Sequence, residues 1–377
     1  MDGDDVQDEG SSFPSPSQIY WAAASPQFST GSGAGSERAS DPRLVAACIL
    51  TQYEHLSATL SAWAGHMNGF VKLLRLNHPE AASVSSHRRS GSAASHVVPQ
   101  GIETIRPCFW YFVANDMEES FVSRRRTRVN TENLALWRAA GLPLDEGGRP
   151  TGHGLTPDPS TDPLRTEEVM AYGLLRLLCK VVNLYAIDSD AIAAVSLVRP
   201  AEEQSTQWRD VSSELDAWYN ALPPTFQPDC ILPLAAEDTS NPSRTHDLFS
   251  TEAWFSDHLC AVGIAYYHMA RMLLLIQRPS SSLALGQGQE HLDLLRAYRE
   301  LQDELRGSAK QIFAIALGTS DGGVRLRLLQ PLYVAGRCLV DRQERKTLVE
   351  LLNAIETESG VATGYRVRQL LDEWGVH

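Results

Sequence analysis

The spacing of apolar residues is the feature that most restricts how this chain can fold. In most segments these residues recur three or four positions apart, which places them on one face of an α-helix. Strand signals are scarce, because no run alternates cleanly between apolar and polar residues and no Asn-Gly turn separates two β-branched runs. The sequence therefore predicts an all-α fold: a single large domain of roughly ten helices joined by long irregular loops.

Several helices can be placed from this spacing. The run 42–76 is predicted to be helical, with Gly65 and Gly69 as points where it bends or splits. A short helix is predicted to begin with Thr131 as its cap and to end at Gly141. The segment 166–187 is apolar around most of its circumference, which predicts a central helix. Four further helical faces are formed by Ile102, Ile105, Phe109, Phe112 and Val113; by Trp208, Val211, Leu215, Trp218 and Leu222 before Pro223; by Phe255, Leu259, Val262, Tyr266, Met269 and Leu273 within 250–277; and by Leu292, Leu295, Leu305 and Ile312 within 291–316.

The segment "QPLYVAGRCLVDRQERKTLVELL" (330–352) combines a proline, apolar clusters and charges, and the chain continues in the same style to its end. Pro331 suits the first turn of a helix, where its missing N–H costs nothing. Asp341 is predicted to cap the next helix, with Glu344 completing a capping box. Gly360 is predicted to end that helix, and Thr363 to cap the last one. The predicted buried faces are Leu348, Leu351, Leu352 and Ile355, followed by Val367, Leu370, Leu371 and Trp374.

Low-complexity stretches divide the chain into a tail and a helical domain. Residues 1–40 are rich in Ser, Gly, Pro, Asp and Glu, which predicts a disordered acidic tail ahead of a helical domain over 41–377. "GSGAGS" within this tail resembles a phosphate-binding loop, but no strand precedes it, so a linker is favoured over a nucleotide site. Loops are predicted near 77–100, 143–163, 233–249 and 278–289.

Charge and cysteine usage restrict the class of protein. The formal net charge of −13 argues against direct nucleic-acid contact by this chain, because such contact needs a basic surface that displaces phosphate counterions. The six cysteines form no CxxC pair, which argues against a compact zinc site and for a reducing compartment. The acidic N-terminus does not resemble a secretory signal, and no apolar run approaches membrane-spanning length. We therefore expect a soluble intracellular protein that does not contact a membrane.

Catalytic motifs are absent from the sequence. It contains no HExxH, GxSxG or Ser-x-x-Lys pattern, and His258 and His268 lie too far apart on one predicted helix to chelate one ion. Acidic pairs in "NDMEES" (115–120), "IDSDA" (187–191) and "LLDEW" (370–374) are predicted to be solvated at helix ends or on polar faces. A helical enzyme such as a terpenoid cyclase remains a remote alternative, although the Asp-rich magnesium motif of that class has only "DSD" (188–190) as a counterpart. We therefore predict no catalytic, cofactor-binding or metal-binding residue and no enzymatic activity.

Two basic clusters stand out from the acidic background. "SRRRTR" supplies Arg124, Arg125, Arg126 and Arg128 directly after a predicted helix, which is typical of a nuclear-import signal. The alternative is a solvated helix end, favoured by the helix dipole. "SHRRSGS" (86–92) has the composition of a basophilic kinase site within a predicted loop.

Four segments, in order, carry a resemblance to a known family. They are "IRPCFWYFVANDMEESFVSRRRTRVNTENLALW" (105–137), "LDAWYNALPPTFQP" (215–228), "WFSDHLCAVGIAYYHMARMLL" (254–274) and "QPLYVAGRCLVDRQERKTLVELLNAIETESGVATGYRVRQLLDEWG" (330–375). Together they resemble the fungus-specific regulatory domain of zinc binuclear-cluster transcription factors. The resemblance implies an all-helical domain that regulates, dimerises or senses a metabolite, joined to an N-terminal six-cysteine DNA-binding module and located in the nucleus.

The sequence departs from that family in one respect, since residues 1–40 contain no cysteine. Zinc and direct DNA reading are therefore not carried over to this chain. We expect a truncated gene model, a product lacking its first exon, or a regulatory domain that acts through a partner. The leading hypothesis is a transcriptional regulatory domain for RNA polymerase II genes, with a second copy, a related transcription factor or a small-molecule effector as partner. The alternative is a stand-alone helical interaction protein that modulates a full-length relative. We expect a nuclear location, or a cytoplasmic one if no import signal operates.

Overall fold

The computed structural model describes residues 42–57, 60–76, 106–150, 164–186, 201–234, 248–279 and 290–375. The predicted tail 1–40, the loop 77–100 and most of the other three predicted loops lie outside this part of the chain. So do "GSGAGS", "SHRRSGS" and "DSD", as well as Ile102 and Ile105.

Twelve α-helices and two short strands make up the described part of the chain, which confirms the all-α prediction. The helices are α1 (Pro42–Ser57), α2 (Leu60–Leu76), α3 (Arg106–Ser123), α4 (Leu134–Ala139), α5 (Thr166–Tyr185), α6 (Ala201–Asn220), α7 (His258–Ile276), α8 (Glu290–Gly318), α9 (Gly322–Arg327), α10 (Leu329–Gly336), α11 (Arg342–Ser359) and α12 (Gly364–Glu373). The strands β1 (Cys230–Pro233) and β2 (Thr251–Trp254) pair antiparallel, with Cys230 opposite Trp254.

Helix α7 lies at the centre of the fold and packs against α5, α6, α8 and α10. It is the one helix in the described segments that is long and apolar enough to cross a membrane, and most of it is buried inside the protein. Its burial identifies it as a core helix. Helix α5 joins α7 to α3, and α1 and α2 pack on α3, so a single hydrophobic core runs through these elements.

Stacked aromatic rings connect α3, α4 and α5. The rings of Trp110 and Tyr172 are stacked with their centroids 4.0 Å apart, and Trp137 lies beside Trp110 at 5.7 Å. The indole N–H of Trp110 donates to the carbonyl oxygen of Ala140 at 3.1 Å. The one polar atom of the buried Trp110 side chain therefore has a hydrogen-bond partner within the core.

Two predicted helix boundaries in the N-terminal half are wrong. The run 42–76 contains two helices packed against each other, one ending at Ser57 and the next beginning at Leu60, whereas Gly65 and Gly69 both lie inside α2. Helix α4 is capped by Asn133, whose side chain accepts the N–H of Leu136 at 3.2 Å, and not by Thr131. The predicted end of α4 is close to the observed one, because Gly141 follows the helix with a positive φ of 93°.

The predicted helix over 250–277 is also wrong at its start. Its first residues form β2, and α7 begins only after Asp257, whose carboxylate accepts the N–H of Leu259 at 2.8 Å. Phe255 therefore precedes the helix. The sheet could not be predicted from local alternation, because each strand has four residues and the two strands lie far apart in the chain.

The predicted buried faces are confirmed in part on α6 and on α8. Val211, Leu215 and Trp218 are buried on α6, whereas Trp208 is half-buried and Leu222 lies half-buried beyond the end of the helix. On α8, Ile312 is fully buried but Leu295 is 57% exposed, because the first turns of this 29-residue helix project beyond the core.

The predicted caps of the C-terminal helices hold with two corrections, and their predicted faces are buried in part. The buried residues are Leu348, Leu352, Ile355 and Leu370, and the half-buried ones are Leu351, Val367, Leu371 and Trp374. Asp341 caps α11 by accepting the N–H groups of Gln343 and Glu344, and Gly360 ends it with a φ of 71°. Pro331 lies in the first turn of α10. Glu344, however, does not complete a capping box, because its buried carboxylate accepts the N–H of Leu248 at 3.3 Å and pairs with an arginine of α8.

Thr363 precedes α12 but does not cap it with its side chain. Its hydroxyl lies 3.1 Å from the carbonyl oxygen of Leu352 and 2.8 Å from a carboxylate oxygen of Glu356. That carboxylate also accepts the N–H groups of Thr363 and Gly364. These hydrogen bonds, led by the one from the Thr363 side chain, lower the pKa of Glu356. The cap of α12 is thus supplied by the preceding helix, since α11 and α12 are packed together.

Candidate functional site

The predicted import cluster lies just after α3 and divides into an exposed part and an anchored part. Arg124, Arg125 and Arg126 are exposed, and Arg124 has a positive φ of 55°. Arg128 is turned inward, with its Nη1 atom 2.9 Å from Asp116 Oδ1 and 2.6 Å from a carboxylate oxygen of Glu119. The structure therefore presents three of the four arginines at the surface and uses the fourth as an ion-pair partner.

The acidic residues of "NDMEES" are buried, so the prediction that they are solvated is wrong. The side chains of Asp116, Glu118 and Glu119 are at most 3% exposed, because α3 is enclosed on nearly all sides. Glu118 accepts hydrogen bonds from Tyr266 at 2.6 Å and from Arg327 at 3.1 Å. The partners of Glu118 lie far along the chain, which is why local sequence did not reveal them. In "LLDEW", by contrast, both acids are exposed, and "IDSDA" lies entirely outside the described residues.

The two histidines of α7 occupy different environments. His258, at the start of the helix, has its Nδ1 atom 3.7 Å from Asp321 Oδ2, and both side chains are partly exposed. His268 is mostly enclosed, and burial lowers its pKa to about 4. In the segments that the structure describes, no group of three His, Cys, Asp or Glu side chains could hold a metal ion.

Two cavities are candidates for a binding site. The first, of about 420 Å³, lies between β2, the start of α7 and the end of α8, and polar groups such as His258 and Asp321 line it. The second, of about 390 Å³, lies between α5, α6 and residues 142–150. Its walls are mainly apolar and include Leu144, Pro150, Met170, Gly173, Leu177 and Trp218. Ligand sites in proteins are usually apolar with a few polar groups, which favours the second cavity.

Packing between α5 and α6 shapes this second cavity. The indole N–H of Trp218 donates to the carbonyl oxygen of Met170 at 2.8 Å and so fixes α6 against α5. Gly173 leaves space in the wall, since a Cβ atom there would lie 3.3 Å from the Pro150 ring. Gly148, with a φ of 76°, allows the chain from 142 to 150 to turn back against α5.

One buried cation lies in the cavity wall. The guanidinium of Arg176 donates to the carbonyl oxygens of Thr131 at 3.0 Å and Gly148 at 2.9 Å. Glu214 supplies the one carboxylate within 4 Å of it among the described residues, at 3.9 Å, and Lys180 already holds that carboxylate at 2.9 and 3.0 Å. Burial lowers the pKa of Arg176, and the charge of Glu214 acts against this shift. The positive charge of Arg176 is therefore only partly compensated.

The sequence contained a signal for this site that the predictions did not use. Arg176 interrupts the apolar run "GLLRLLCK" in a helix that is apolar around most of its circumference. A charged residue at such a position has to be buried and paired. Its partners are backbone carbonyls from two other segments, and their positions depend on the tertiary fold.

Comparison with known proteins gives one informative relationship. The chain is 30% identical over 347 residues to the transcription activator AMTR1 of Alternaria alternata. The match covers 88% of this chain and 44% of the relative, so the chain spans less than half the length of that protein. No protein-family model matches the chain. No solved structure matches it either.

Proposed function

We propose that this chain is a helical regulatory domain of a fungal transcription factor. The observation that carries the proposal is the 30% identity to a transcription activator across 88% of the chain. The net charge of −13 supports a role in which the domain acts through protein contacts or an effector and does not itself contact nucleic acid.

The finer assignment is to the regulatory domain of zinc binuclear-cluster transcription factors. It is supported by the four resembling segments, which include the aromatic helix α3, the core helix α7 and the C-terminal helices α10–α12. On this proposal, zinc binding and DNA reading belong to a six-cysteine module on the same or another polypeptide. The proposed partners are a second copy of the chain, a related transcription factor or a small-molecule effector. The proposed target genes are transcribed by RNA polymerase II. On this proposal the chain regulates and has no enzymatic activity.

The proposal is tested by fusing residues 1–377 to a heterologous DNA-binding domain and measuring a reporter gene in a fungal host. We expect the fusion to change reporter output several-fold relative to the DNA-binding domain alone. The same fusion carrying R327M, which breaks the buried Glu118–Arg327 pair, is the destabilised control, and its lower abundance of folded protein should reduce the effect. An unchanged reporter, together with unchanged output from a co-expressed full-length relative, would refute a regulatory role. A change seen only with the relative would instead favour a modulator of that factor.

The proposed nuclear location has a separate test. A fluorescent fusion of the chain is expected in the nucleus, and R124A/R125A/R126A should shift it to the cytoplasm, since all three side chains are exposed and their loss leaves the core intact. The exposed basic residues Arg342 and Lys346 on α11 provide the control, since their replacement by alanine removes positive charge elsewhere on the surface. Nuclear retention of the triple variant would exclude this cluster as the signal.

A further inference from the structure

We propose that the cavity between α5, α6 and residues 142–150 binds a small apolar carboxylic acid, whose carboxylate pairs with Arg176. This inference deepens the proposed function by naming the chemical class of the effector, and its regulatory meaning rests on that function. Nothing in the similarity to AMTR1 assigns a ligand to the chain.

The apolar part of the ligand follows from the cavity walls. Side chains of Leu144, Met170, Leu177 and Trp218 surround a volume of about 390 Å³, within the range of sites for small organic molecules. Contact with these walls removes apolar surface of the ligand from water, which favours binding of an apolar molecule. A purely polar ion would gain nothing from most of this surface.

The carboxylate follows from the charges. The charged residues that line the cavity are Arg149, Arg176 and Glu214, so two cations face one anion. Glu214 is already engaged by Lys180, and the guanidinium of Arg176 is bonded to neutral carbonyls. An anion beside Arg176 gains a charge-assisted hydrogen bond in a poorly solvated site, whereas a cation would be repelled.

Because α6 forms one wall of the cavity, a substitution on α6 can test whether the ligand binds in the cavity without altering Arg176. Ala217 lines the cavity and is exposed to solvent, so it lies at the rim. A larger side chain there narrows the cavity at an exposed helix position, where the fold tolerates substitution. Ala46 is an exposed alanine on α1, away from the cavity, and A46L serves as the matched control.

The binding experiment uses the purified full chain and isothermal titration calorimetry. The probes are matched pairs of an acid and its alcohol, with 4-phenylbutyrate and 4-phenylbutan-1-ol as the aromatic pair and octanoate and octan-1-ol as the aliphatic pair. We expect at least one acid to bind about tenfold more tightly than its alcohol, because the charge-assisted hydrogen bond is lost in the alcohol. A217L should weaken that binding about tenfold, and A46L should leave it unchanged.

Two charge variants test the role of the arginine. E214Q removes the competing carboxylate and should tighten binding of the acid several-fold without affecting the alcohol. R176Q should abolish the preference for the acid, and circular dichroism establishes whether the variant is folded. Because E214Q predicts a gain in affinity, a loss of folding cannot imitate its expected result.

Absence of binding by all four probes, equal affinity for acid and alcohol, or binding unaffected by A217L would each overturn the inference. The calorimetric result does not depend on transcription. Binding with no effect on either the reporter or the co-expressed relative would refute the proposed function alone, and a reporter effect without binding would refute the ligand site alone.

Discussion

The buried ion pair between Glu118 and Arg327 gives the sharpest test of how this fold is stabilised. The two side chains are 3% and 2% exposed, and the Arg327 Nη1 atom lies 3.1 Å from Glu118 Oε1. Tyr266 donates to the same carboxylate oxygen at 2.6 Å. The three residues come from α3, α9 and α7, so the pair joins helices that are far apart in the sequence.

Removing either partner leaves one charge buried without compensation. We expect R327M and E118Q each to lower the free energy of unfolding by about 3 kcal/mol, the lower end of the range for broken buried pairs, since Tyr266 still bonds the remaining acid or amide. The double variant E118Q/R327M removes both charges. Its cost should be about that of one single variant, giving a coupling energy of about 3 kcal/mol.

Urea unfolding followed by far-ultraviolet circular dichroism measures these differences. The control is E304Q, which removes the partner of Arg271 in an exposed ion pair at 3.2 Å and should cost about 0.5 kcal/mol or less. The reasoning fails if R327M costs no more than E304Q, or if the cost of the double variant equals the sum of the two single costs.

Three further predictions concern a glycine contact, a cap and a buried histidine. G318A should destabilise the protein by about 2 kcal/mol or more, because its Cβ atom would lie 2.2 Å from the backbone oxygen of Ala253. G307A is the control in the same helix: its Cβ atom would meet nothing within 4 Å, and the variant should be stabilised by about 0.5 kcal/mol. Shifts of the thermal unfolding midpoint in the same direction for both variants would contradict this. D341A should cost about 1 kcal/mol in urea unfolding, since it removes the acceptor for two N–H groups at the start of α11, and D341N should recover most of that loss. Burial lowers the pKa of His268 from 6.5 to about 4 in the folded state, so between pH 7 and pH 5 the unfolded state binds more protons than the folded state. The free energy of unfolding should therefore fall as the pH drops from 7 to 5, by about 2 kcal/mol more in the wild type than in H268Q. Parallel pH profiles of stability for the two proteins would exclude the effect.

Local spacing was sufficient to predict most helices, because their buried faces are set by residues three and four positions apart. Helix α6 follows this spacing. The cap at Asp341 is local as well, since it involves residues two and three positions further along the chain. It failed where a longer-range contact decided the conformation. β2 pairs with a strand some twenty residues earlier, and Glu344 turns to the backbone of Leu248 instead of to its own helix.

The candidate site was less predictable than the fold for the same reason. Its polar centre depends on Arg176 reaching the carbonyl oxygens of Thr131 and Gly148, which come from separate segments. A single sequence shows that an arginine interrupts an apolar helix, but the geometry of its partners is set only when α5 and residues 131–148 pack together. The buried acids of α3 illustrate the same limit. From the sequence alone they are predicted to be solvated, and only the tertiary fold shows that Arg128 and Arg327 pair with them inside the protein.

The anchoring of Arg128 has a consequence for any protein that recognises the basic segment after α3. Receptors that bind linear motifs take hold of an extended peptide, whereas here Asp116 accepts the N–H groups of Arg128 and Val129, and Asn183 accepts that of Thr127. Detaching this segment from the rest of the protein would leave two buried carboxylates, Asp116 and Glu119, without their partner Arg128. Recognition of all four arginines as one linear motif thus competes with folding, so an unfolded or newly made chain would offer a four-arginine motif, and the folded protein a fixed patch of three.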